Sequence, residues 1–247
     1  MFPNAFGIHN IGSTCYMSSV LQGLMSCSNL SQEMIDTEDI KEDSMDMEYL
    51  RFIYSKDKNP YQILRRVKFS RTQEDAHEYL LRMIDCFSKP FQLIFEFRIK
   101  EMKHCEKCDR SSKQELTENY IFMESFSKEY FNTTYERIED FKCDCGEKNC
   151  VSILKKLVSI PKVMIIVLNR YNNLEKNYPL RFRLGEHEYE LVAVISSSNG
   201  NVFSGGHYTC VARRNRGVFK FNDIHVTQLD GFPVNDHSAY VLFYNLV

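Results

Sequence analysis

Residues 10–24 read NIGSTCYMSSVLQGL and place one cysteine, Cys15, between a turn and an apolar helical pattern. The Gly-Ser-Thr run at 12–14 is typical of a turn, and apolar residues follow Cys15 at helical spacing: Tyr16, Val20 and Leu24. The pattern predicts that Cys15 lies in the first turn of a helix. The positive end of a helix dipole stabilises a thiolate there, so Cys15 is a candidate nucleophile, with a buried structural thiol as the alternative.

The composition is that of a globular protein with a substantial core. The chain has 247 residues, of which 43% are hydrophobic and 26% charged, and its formal net charge is -2. This charge gives no reason to expect nucleic acid or a membrane as a partner. The N-terminus lacks the features of a secretory signal, and the apolar run at 163–168 is too short to span a bilayer. We therefore expect an intracellular protein, in the cytoplasm, the nucleus or both.

The order of the predicted elements indicates an α+β fold. The first ninety residues have helical patterns, and in the pattern at 72–87 the residues Thr72 and Asp75 resemble a capping box. From Phe91 onward, β-branched and aromatic residues predict strands at 91–99, 152–160, 163–168, 188–196, 207–212, 218–221 and 239–244. Helices followed by strands predict a largely antiparallel sheet. The segment ARRNR at 212–216 is interpreted as a solvated turn.

Five of the nine cysteines form two clusters. One cluster is CEKC at 105–108, and the other is CDCGEKNC at 143–150. In a chain without a secretory signal, clustered thiols favour a metal over disulfides. Both clusters fall between strand candidates, as in a pair of hairpins pinned by zinc.

A nucleophilic cysteine needs a base. His207, in SGGHYTCVA, follows two glycines that let the backbone pass close to another chain, whereas His77 in QEDAHEYL is interpreted as structural. Asn222 and Asp223, in FKFND, offer an orienting group, and an Asn carbonyl oxygen can accept the Nδ1–H of an imidazole. Because adjacent side chains on a strand point to opposite faces, only one of the two should face His207.

Six segments, in order, resemble the motifs of ubiquitin-specific proteases. GIHNIGSTCYMSSVLQGL is similar to their cysteine box, QEDAHEYLLRMID to their Q-Q-D-A-H-E-F motif, and IPKVMIIVLNRY to a later strand. GGHYTCVARR, FKFND and SAYVLFY are similar to the histidine box and the closing segments. The resemblance implies a papain-like cysteine protease fold in a single, near-minimal catalytic domain, 1–247. It implies a helical thumb at 1–90, zinc-pinned fingers and part of the palm at 91–160, and a palm sheet at 161–247.

The resemblance also implies an activity. It implies a deubiquitinase that hydrolyses the isopeptide or peptide bond after the C-terminal Gly-Gly of ubiquitin, through an acyl-thioester on Cys15. His207 would be the base, Asn222 its orienting partner with Asp223 beside it, and Asn10 the oxyanion donor. The implied substrate-binding residues are Gln73, Asp75, Gly205, Gly206 and Tyr208. The partners would be ubiquitin, ubiquitinated proteins and an activating protein of unknown identity, and catalysis itself would need no cofactor.

A structural zinc ion is implied as well. The family holds zinc with two C-x-x-C pairs, and Cys105 and Cys108 supply the first. In the family, the later cysteine precedes the following strand by a fixed spacing, and the resemblance maps Cys145 onto it, with Lys142 at the usual partner position. We expect Cys143 to be the fourth ligand, with Cys150 as its substitute if C-x-C is too tight, and free thiols as the alternative.

Two other functions are weighed against hydrolysis. A catalytically weak or inactive ubiquitin-binding scaffold of the same fold would usually lack one reacting residue, but Cys15, His207 and Asn222 are all present. A zinc-ribbon nucleic-acid binder is disfavoured by the net charge of -2.

Overall fold

The computed structural model describes residues 4–54, 59–68, 72–127, 135–169, 177–198, 206–215 and 217–247. The chain forms two compact units. The first unit contains Met1–Phe95, Tyr120–Phe126 and Lys162–Val247, and the second contains Glu96–Asn119 and Ser127–Pro161. The second unit is therefore inserted into the sequence of the first in two pieces.

Helices make up the early part of the first unit. They are α1 (Cys15–Leu24), α2 (Ser28–Asp36), α3 (Met45–Tyr54), α4 (Tyr61–Arg66), α5 (Ala76–Cys86) and α6 (Lys89–Gln92). Every residue of α1 is buried, which makes α1 a core helix rather than a surface one. Gly23 permits its close packing on the sheet, because a Cβ at that position would lie 2.8 Å from the ring of Phe243. In the described part of the chain, no helix is long and apolar enough to cross a membrane.

Helix α5 begins later than the sequence pattern indicated. The expected capping box at Thr72 is wrong: Asp75 is the N-cap, and its Oδ1 accepts the backbone N–H groups of His77 at 2.8 Å and Glu78 at 3.2 Å. The carboxylate of Asp75 thus satisfies the amides that a helix start leaves unpaired. The predicted apolar face is buried, and Tyr79 meets Tyr16 of α1 edge to face at 5.4 Å between ring centroids.

The first unit contains a large sheet, and the prediction of an α+β fold is confirmed. Its strands are β3 (Ile121–Met123), β6 (Val163–Leu168), β7 (Arg181–Leu184), β8 (His187–Ser197), β9 (Tyr208–Arg214), β10 (Gly217–Asn222), β11 (His225–Leu229) and β12 (Ala239–Leu246). The order is β11-β10-β9-β8-β12-β6-β3, and β7 pairs with β8. Neighbouring strands are antiparallel except β3 and β6, which are parallel.

The second unit is a smaller antiparallel sheet. It contains β1 (Phe97–Cys105), β2 (Ser111–Glu118), β4 (Tyr135–Arg137) and β5 (Val151–Leu157), in the order β2-β1-β5-β4. The strand expected at 91–99 is wrong in its first half, where α6 takes the chain as far as Gln92. Pro90 explains the error, because its fixed φ favours the first turn of a helix.

Candidate active site and metal centre

The candidate base and its orienting residue lie on adjacent strands. His207 immediately precedes β9, Asn222 is the last residue of β10, and His207 Nε2 lies 2.5 Å from Asn222 Oδ1. The backbone of His207 is fixed as well, because its carbonyl accepts the N–H of Ser198 at 2.9 Å. The ring nitrogen differs from our expectation: Nε2, not Nδ1, faces the amide. With its proton on Nε2, the imidazole donates to Asn222 and keeps Nδ1 as its basic nitrogen.

Asp223 points away from His207 and towards Asn10. The backbone turns at Asp223, whose φ is 52°, and its Oδ2 accepts from Asn10 Nδ2 at 3.0 Å. The prediction that only one residue of the Asn-Asp pair faces His207 agrees with this geometry. Asn10 is held at its other end too, since its Oδ1 accepts the N–H groups of Gly12 at 3.0 Å and Thr14 at 3.1 Å. The carboxamide of Asn10 is therefore fixed in orientation.

Gly7 makes this arrangement possible, and the sequence reasoning missed it. A Cβ at Gly7 would lie 2.1 Å from the carbonyl oxygen of Ile224, and the next residue, Ile8, donates its N–H to the carbonyl of Asp223 at 2.9 Å. The N-terminal segment therefore touches the β10–β11 turn, and this contact brings Asn10 to Asp223. The glycine that starts the cysteine-box resemblance was the available signal.

Cys15 is the first residue of α1, as the sequence predicted, and is only 3% exposed. Its Sγ lies 3.6 Å from Oε1 and 3.5 Å from Nε2 of Gln73. Within the described ranges, no hydrogen bond joins Cys15 to His207. The structure thus pairs the thiol with a residue that we expected at the ubiquitin tail, and attack on a substrate would require the imidazole to approach the thiol.

The other expected substrate residues are Asp75, Tyr208, Gly205 and Gly206. Asp75 is 9% exposed, and its Oδ1 also accepts from the hydroxyl of Tyr240 at 2.9 Å. Tyr208 opens β9, and its ring centroid lies 6.5 Å from that of Tyr240. Gly206 is buried next to the candidate base, whereas Gly205 lies outside the described residues. Their roles in binding remain predictions.

The two cysteine clusters come together in the second unit. The sulfurs of Cys105, Cys108, Cys143 and Cys145 all lie within 4.8 Å of one another. Cys105 and Cys145 are 3.9 Å apart, and Cys108 and Cys143 are 3.7 Å apart. A tetrahedral site with Zn–S bonds of about 2.3 Å requires S···S separations of about 3.8 Å, so this donor set fits zinc.

Two further features bear on this metal centre. The backbone N–H groups of Cys108 and then Lys107 lower the pKa of Cys105 to about 6. The backbone N–H of Cys145 lowers the pKa of Cys143, but the nearby thiols, that of Cys105 first, together with burial outweigh it and raise that pKa to about 12, so zinc binding would release protons from the cluster. Cys150, the expected substitute, is buried, and its Sγ lies 3.4 Å from that of Cys105. Five thiols therefore lie together, four of them in the predicted set.

The interpretation of 212–216 as a solvated turn is wrong for 212–214, which belong to β9, whereas Asn215 is an exposed turn residue and residue 216 lies outside the described part of the chain. Arg214 is 2% exposed and bonds to α1, whereas the neighbouring Arg213 is half exposed. The error has a simple cause, because alternate side chains of β9 point to opposite faces of the sheet.

A cysteine at the start of a buried helix, with a histidine–asparagine pair on the sheet, defines a papain-like cysteine peptidase fold. The family model described as "Ubiquitin carboxyl-terminal hydrolase" matches residues 6–244. The chain belongs to the ubiquitin carboxyl-terminal hydrolase family.

Named relatives agree with this assignment. Ubiquitin carboxyl-terminal hydrolase 17-like protein B of Mus musculus is 26% identical over 96% of this chain and 63% of its own length. Ubiquitin carboxyl-terminal hydrolase 8 of Saccharomyces cerevisiae is 23% identical over 97% of this chain and 70% of its own length. This chain spans 54–63% of the length of the mouse relatives that it matches.

A solved structure shows the same fold. It is described as a SAGA DUB module of Ubp8, Sgf11, Sus1 and Sgf73 bound to monoubiquitin. The match has a TM-score of 0.77 with 19% identity and covers 100% of this chain and 71% of the other. At this identity the likeness supports the fold alone.

Proposed function

We propose that this chain is a cysteine-type deubiquitinase that cleaves the bond after the C-terminal Gly-Gly of ubiquitin. The observation that carries the proposal is the pair His207 Nε2 and Asn222 Oδ1 at 2.5 Å, in a family of ubiquitin carboxyl-terminal hydrolases. An imidazole oriented in this way is the group that a thiol nucleophile needs as its base.

Acylation would begin when the Gly-Gly tail enters and displaces the amide of Gln73 from the thiol. His207 Nδ1 takes the Cys15 proton, the sulfur attacks the scissile carbonyl carbon, and the carbonyl electron pair moves onto oxygen. Collapse of this intermediate breaks the C–N bond, and the imidazolium gives its proton to the departing amine. The product is a thioester between Cys15 and ubiquitin.

Deacylation repeats the same chemistry with water. His207 takes a proton from the attacking water, the new C–O bond forms, and the C–S bond breaks. Cys15 leaves as a thiolate and takes the proton back from the imidazolium. Ubiquitin departs with a carboxylic acid end, which loses its proton to solvent. Both steps pass through an oxyanion, which one donor of Asn10 would stabilise by about 3–4 kcal/mol.

Asp223 would act through Asn10. One Nδ2 hydrogen of Asn10 goes to Asp223 Oδ2 at 3.0 Å, and the backbone N–H groups of Gly12 and Thr14 hold its oxygen. The second Nδ2 hydrogen then has a fixed direction, and we assign it to the oxyanion. Asp223 is thus a positioning residue, and Asn222 serves the imidazole.

Substrate selection would rest on the residues that border this site. We assign the carboxylate of Asp75 to the arginines of the ubiquitin tail, and Gly206 with Tyr208 to the channel for the slim diglycine. Gly205 is assigned to the same channel on the resemblance alone. The Oδ1 of Asp75 also caps α5, so the same side chain would serve both the helix and the ubiquitin tail.

The second unit would serve as the zinc-pinned fingers, with the first as thumb and palm. Cys105, Cys108, Cys143 and Cys145 would hold the ion, which stabilises the fold and takes no part in hydrolysis. A protein partner that brings His207 to Cys15 is also part of the proposal, as is an intracellular location. The solved relative is described in a module with Sgf11, Sus1 and Sgf73, which supports the proposal of a protein partner.

A ubiquitin-binding scaffold is the second candidate. The contact between Cys15 Sγ and Gln73, in place of one with His207, is the observation that favours it. A scaffold would hold ubiquitin without forming a thioester.

One experiment separates the two candidates. The protein is incubated with ubiquitin that carries a thiol-reactive electrophile at its C-terminus, and adduct formation is followed by intact mass. We expect one adduct, which Cys15→Ala abolishes and Cys86→Ala, at an exposed thiol remote in sequence, leaves unchanged. Binding of ubiquitin without any adduct would refute the hydrolase and support the scaffold, and a ubiquitin-like modifier serves as the specificity control.

A further inference from the structure

Arg214 is a buried cation without an anionic partner. It is the last residue of β9 and is 2% exposed. Its guanidinium bonds only to neutral groups, and among the described residues no carboxylate forms an ion pair with it. Burial lowers the pKa of Arg214 to about 10, so the side chain is still charged at neutral pH. A charge buried in this way requires compensation from another source.

The compensation comes from the C-terminal end of α1. Arg214 Nη2 donates to the carbonyl oxygen of Gln22 at 2.7 Å and to its Oε1 at 2.8 Å, and Nη1 donates to Ser26 Oγ. The last carbonyls of a helix carry partial negative charge, which stabilises a cation placed there. The ring of Phe221 adds a cation–π contact, with its centroid 5.1 Å from the guanidinium carbon.

These contacts join the two elements that carry the reacting groups. Helix α1 begins at Cys15 and is held by Arg214 near its other end, at Gln22. Strand β9 begins directly after His207 and ends at Arg214. Helix α1 packs on β9, and both belong to the first unit. A shift of α1 along or across β9 would therefore change the distance between Cys15 and His207.

We propose that Arg214 is a positioning residue, which fixes α1 on β9 and thereby sets the approach of Cys15 to His207. Gln22 supplies two acceptors for this contact and is itself anchored, since its Nε2 donates to the carbonyl of Phe6 at 2.7 Å. The N-terminal segment that carries Asn10 is thus connected to the same polar cluster. The inference rests on the proposed function, in which Cys15 and His207 react together.

The test compares Arg214→Met with Arg214→Lys and with a matched control, Arg213→Met. The control changes Arg213, the preceding residue of the same strand. Its side chain is 43% exposed and points away from α1. Each variant is assayed with a fluorogenic ubiquitin C-terminal amide, at a temperature where circular dichroism shows that it is folded. We expect Arg214→Met to lower kcat about tenfold or more with KM within about twofold of wild type, because a small misplacement of reacting groups slows chemistry more than binding. Arg214→Lys should recover part of kcat, and Arg213→Met should match wild type.

A second readout does not depend on ubiquitin. Alkylation of Cys15 by iodoacetamide is followed over time at one pH for the same variants, with peptide mass identifying the modified residue. Because Cys15 is only 3% exposed, its rate of alkylation depends on where α1 lies, and we expect this alkylation profile to change severalfold in Arg214→Met and to stay at wild type in Arg213→Met. A merely structural role would lower the unfolding temperature without changing the profile of the folded protein.

The outcomes separate the two proposals. If wild type cleaves the ubiquitin substrate and folded Arg214→Met keeps the wild-type kcat and alkylation profile, the positioning role is refuted and the hydrolase stands. If wild type fails to cleave, the proposed function fails, and the alkylation profile still decides the role of Arg214. If Arg214→Met does not fold, Arg214→Lys and Ser26→Ala decide it by the same two readouts, and wild-type values in both would refute it.

Discussion

Different interactions stabilise the interior of each of the two units. The first unit has a core of buried side chains from α1 to α6 and the large sheet, including Leu80, Phe95 and Phe243 at 0% exposure. Among the described residues of the second unit, the cluster around the cysteines contains Cys105, Cys150 and Val151, with Cys108, Ile138 and Cys143 partly buried against it. Its strand β2 is exposed along most of its length. Where apolar burial is this small, a metal can supply the missing stability, as in small zinc domains.

The comparison indicates that the two units obtain their stability from different sources. The first unit depends on apolar area, each buried methylene contributing about 0.8 kcal/mol. The second unit, by our proposal, depends on a zinc ion held by Cys105, Cys108, Cys143 and Cys145. A change that damages one source should leave the other intact, and the following predictions test this from the largest expected effect to the smallest.

Loss of zinc should have the largest effect. Cys105→Ser removes one of the four proposed ligands, so this variant, like a strong chelator, should release one zinc ion per chain. The effect on folding should be large, because structural zinc binds small domains with about 10–16 kcal/mol. Elemental analysis measures the metal, and amide hydrogen exchange should show that β1 and β5 lose protection while β8 and β12 keep it. Cys86→Ser is the control and should retain the ion. Retained zinc in Cys105→Ser, or equal loss of protection in both units, would contradict the comparison.

The fifth thiol sharpens this prediction. Cys150→Ser should keep the zinc, because Cys143 and Cys145 already complete the set of four. Loss of the ion in Cys150→Ser, with retention in Cys143→Ser, would assign the fourth position to Cys150.

A cavity in the first unit should have an intermediate effect. Leu80→Ala, at 0% exposure on α5, should lower the free energy of unfolding by about 2–5 kcal/mol and leave the zinc content unchanged. Urea denaturation followed by circular dichroism measures the loss. Leu93→Ala, at 53% exposure, is the matched control and should stay within about 0.5 kcal/mol of wild type. Zinc loss in Leu80→Ala would mean that the two sources are not separate.

The helix cap should have the smallest effect on stability. Asp75→Ala removes the oxygen that accepts from His77, Glu78 and Tyr240, and should cost about 1–2 kcal/mol in urea denaturation. Asp75→Asn keeps an acceptor oxygen, so it should cost less while losing the charge that we assign to the ubiquitin tail. Both variants should raise KM for a ubiquitin substrate. A KM that stays at the wild-type value in Asp75→Asn would leave Asp75 with its structural role alone.

Strongly patterned segments were predictable from sequence. β6 agrees with its predicted bounds, and α1 and β12 agree closely, because each is apolar enough for its period to stand out. The polar strands β2 and β11 were missed, since partly or wholly exposed strands carry no apolar alternation. Their pairing comes from neighbours that a local pattern does not include.

For the candidate site too, some features could be predicted from the sequence and others could not. The motifs selected His207 and Asn222, which lie together in the structure, and four cysteines whose sulfurs lie close enough to hold a metal ion. The details that depend on tertiary geometry were not predictable. They include the ring nitrogen that faces Asn222, the contact of Gln73 with Cys15, and the burial of Arg214. Each of these details depends on which faces of two helices or strands pack together, and the sequence pattern of one element does not determine this.

The position of β12 has a consequence for synthesis. β12 is the last strand along the chain, yet it lies inside the sheet and pairs with both β8 and β6. While the ribosome is still making residues before Ala239, β6 and β8 each have an open edge with exposed hydrogen-bonding groups. Such edges invite pairing with other chains. We therefore expect the incomplete chain to be more prone to pairing with other chains than the complete sheet is.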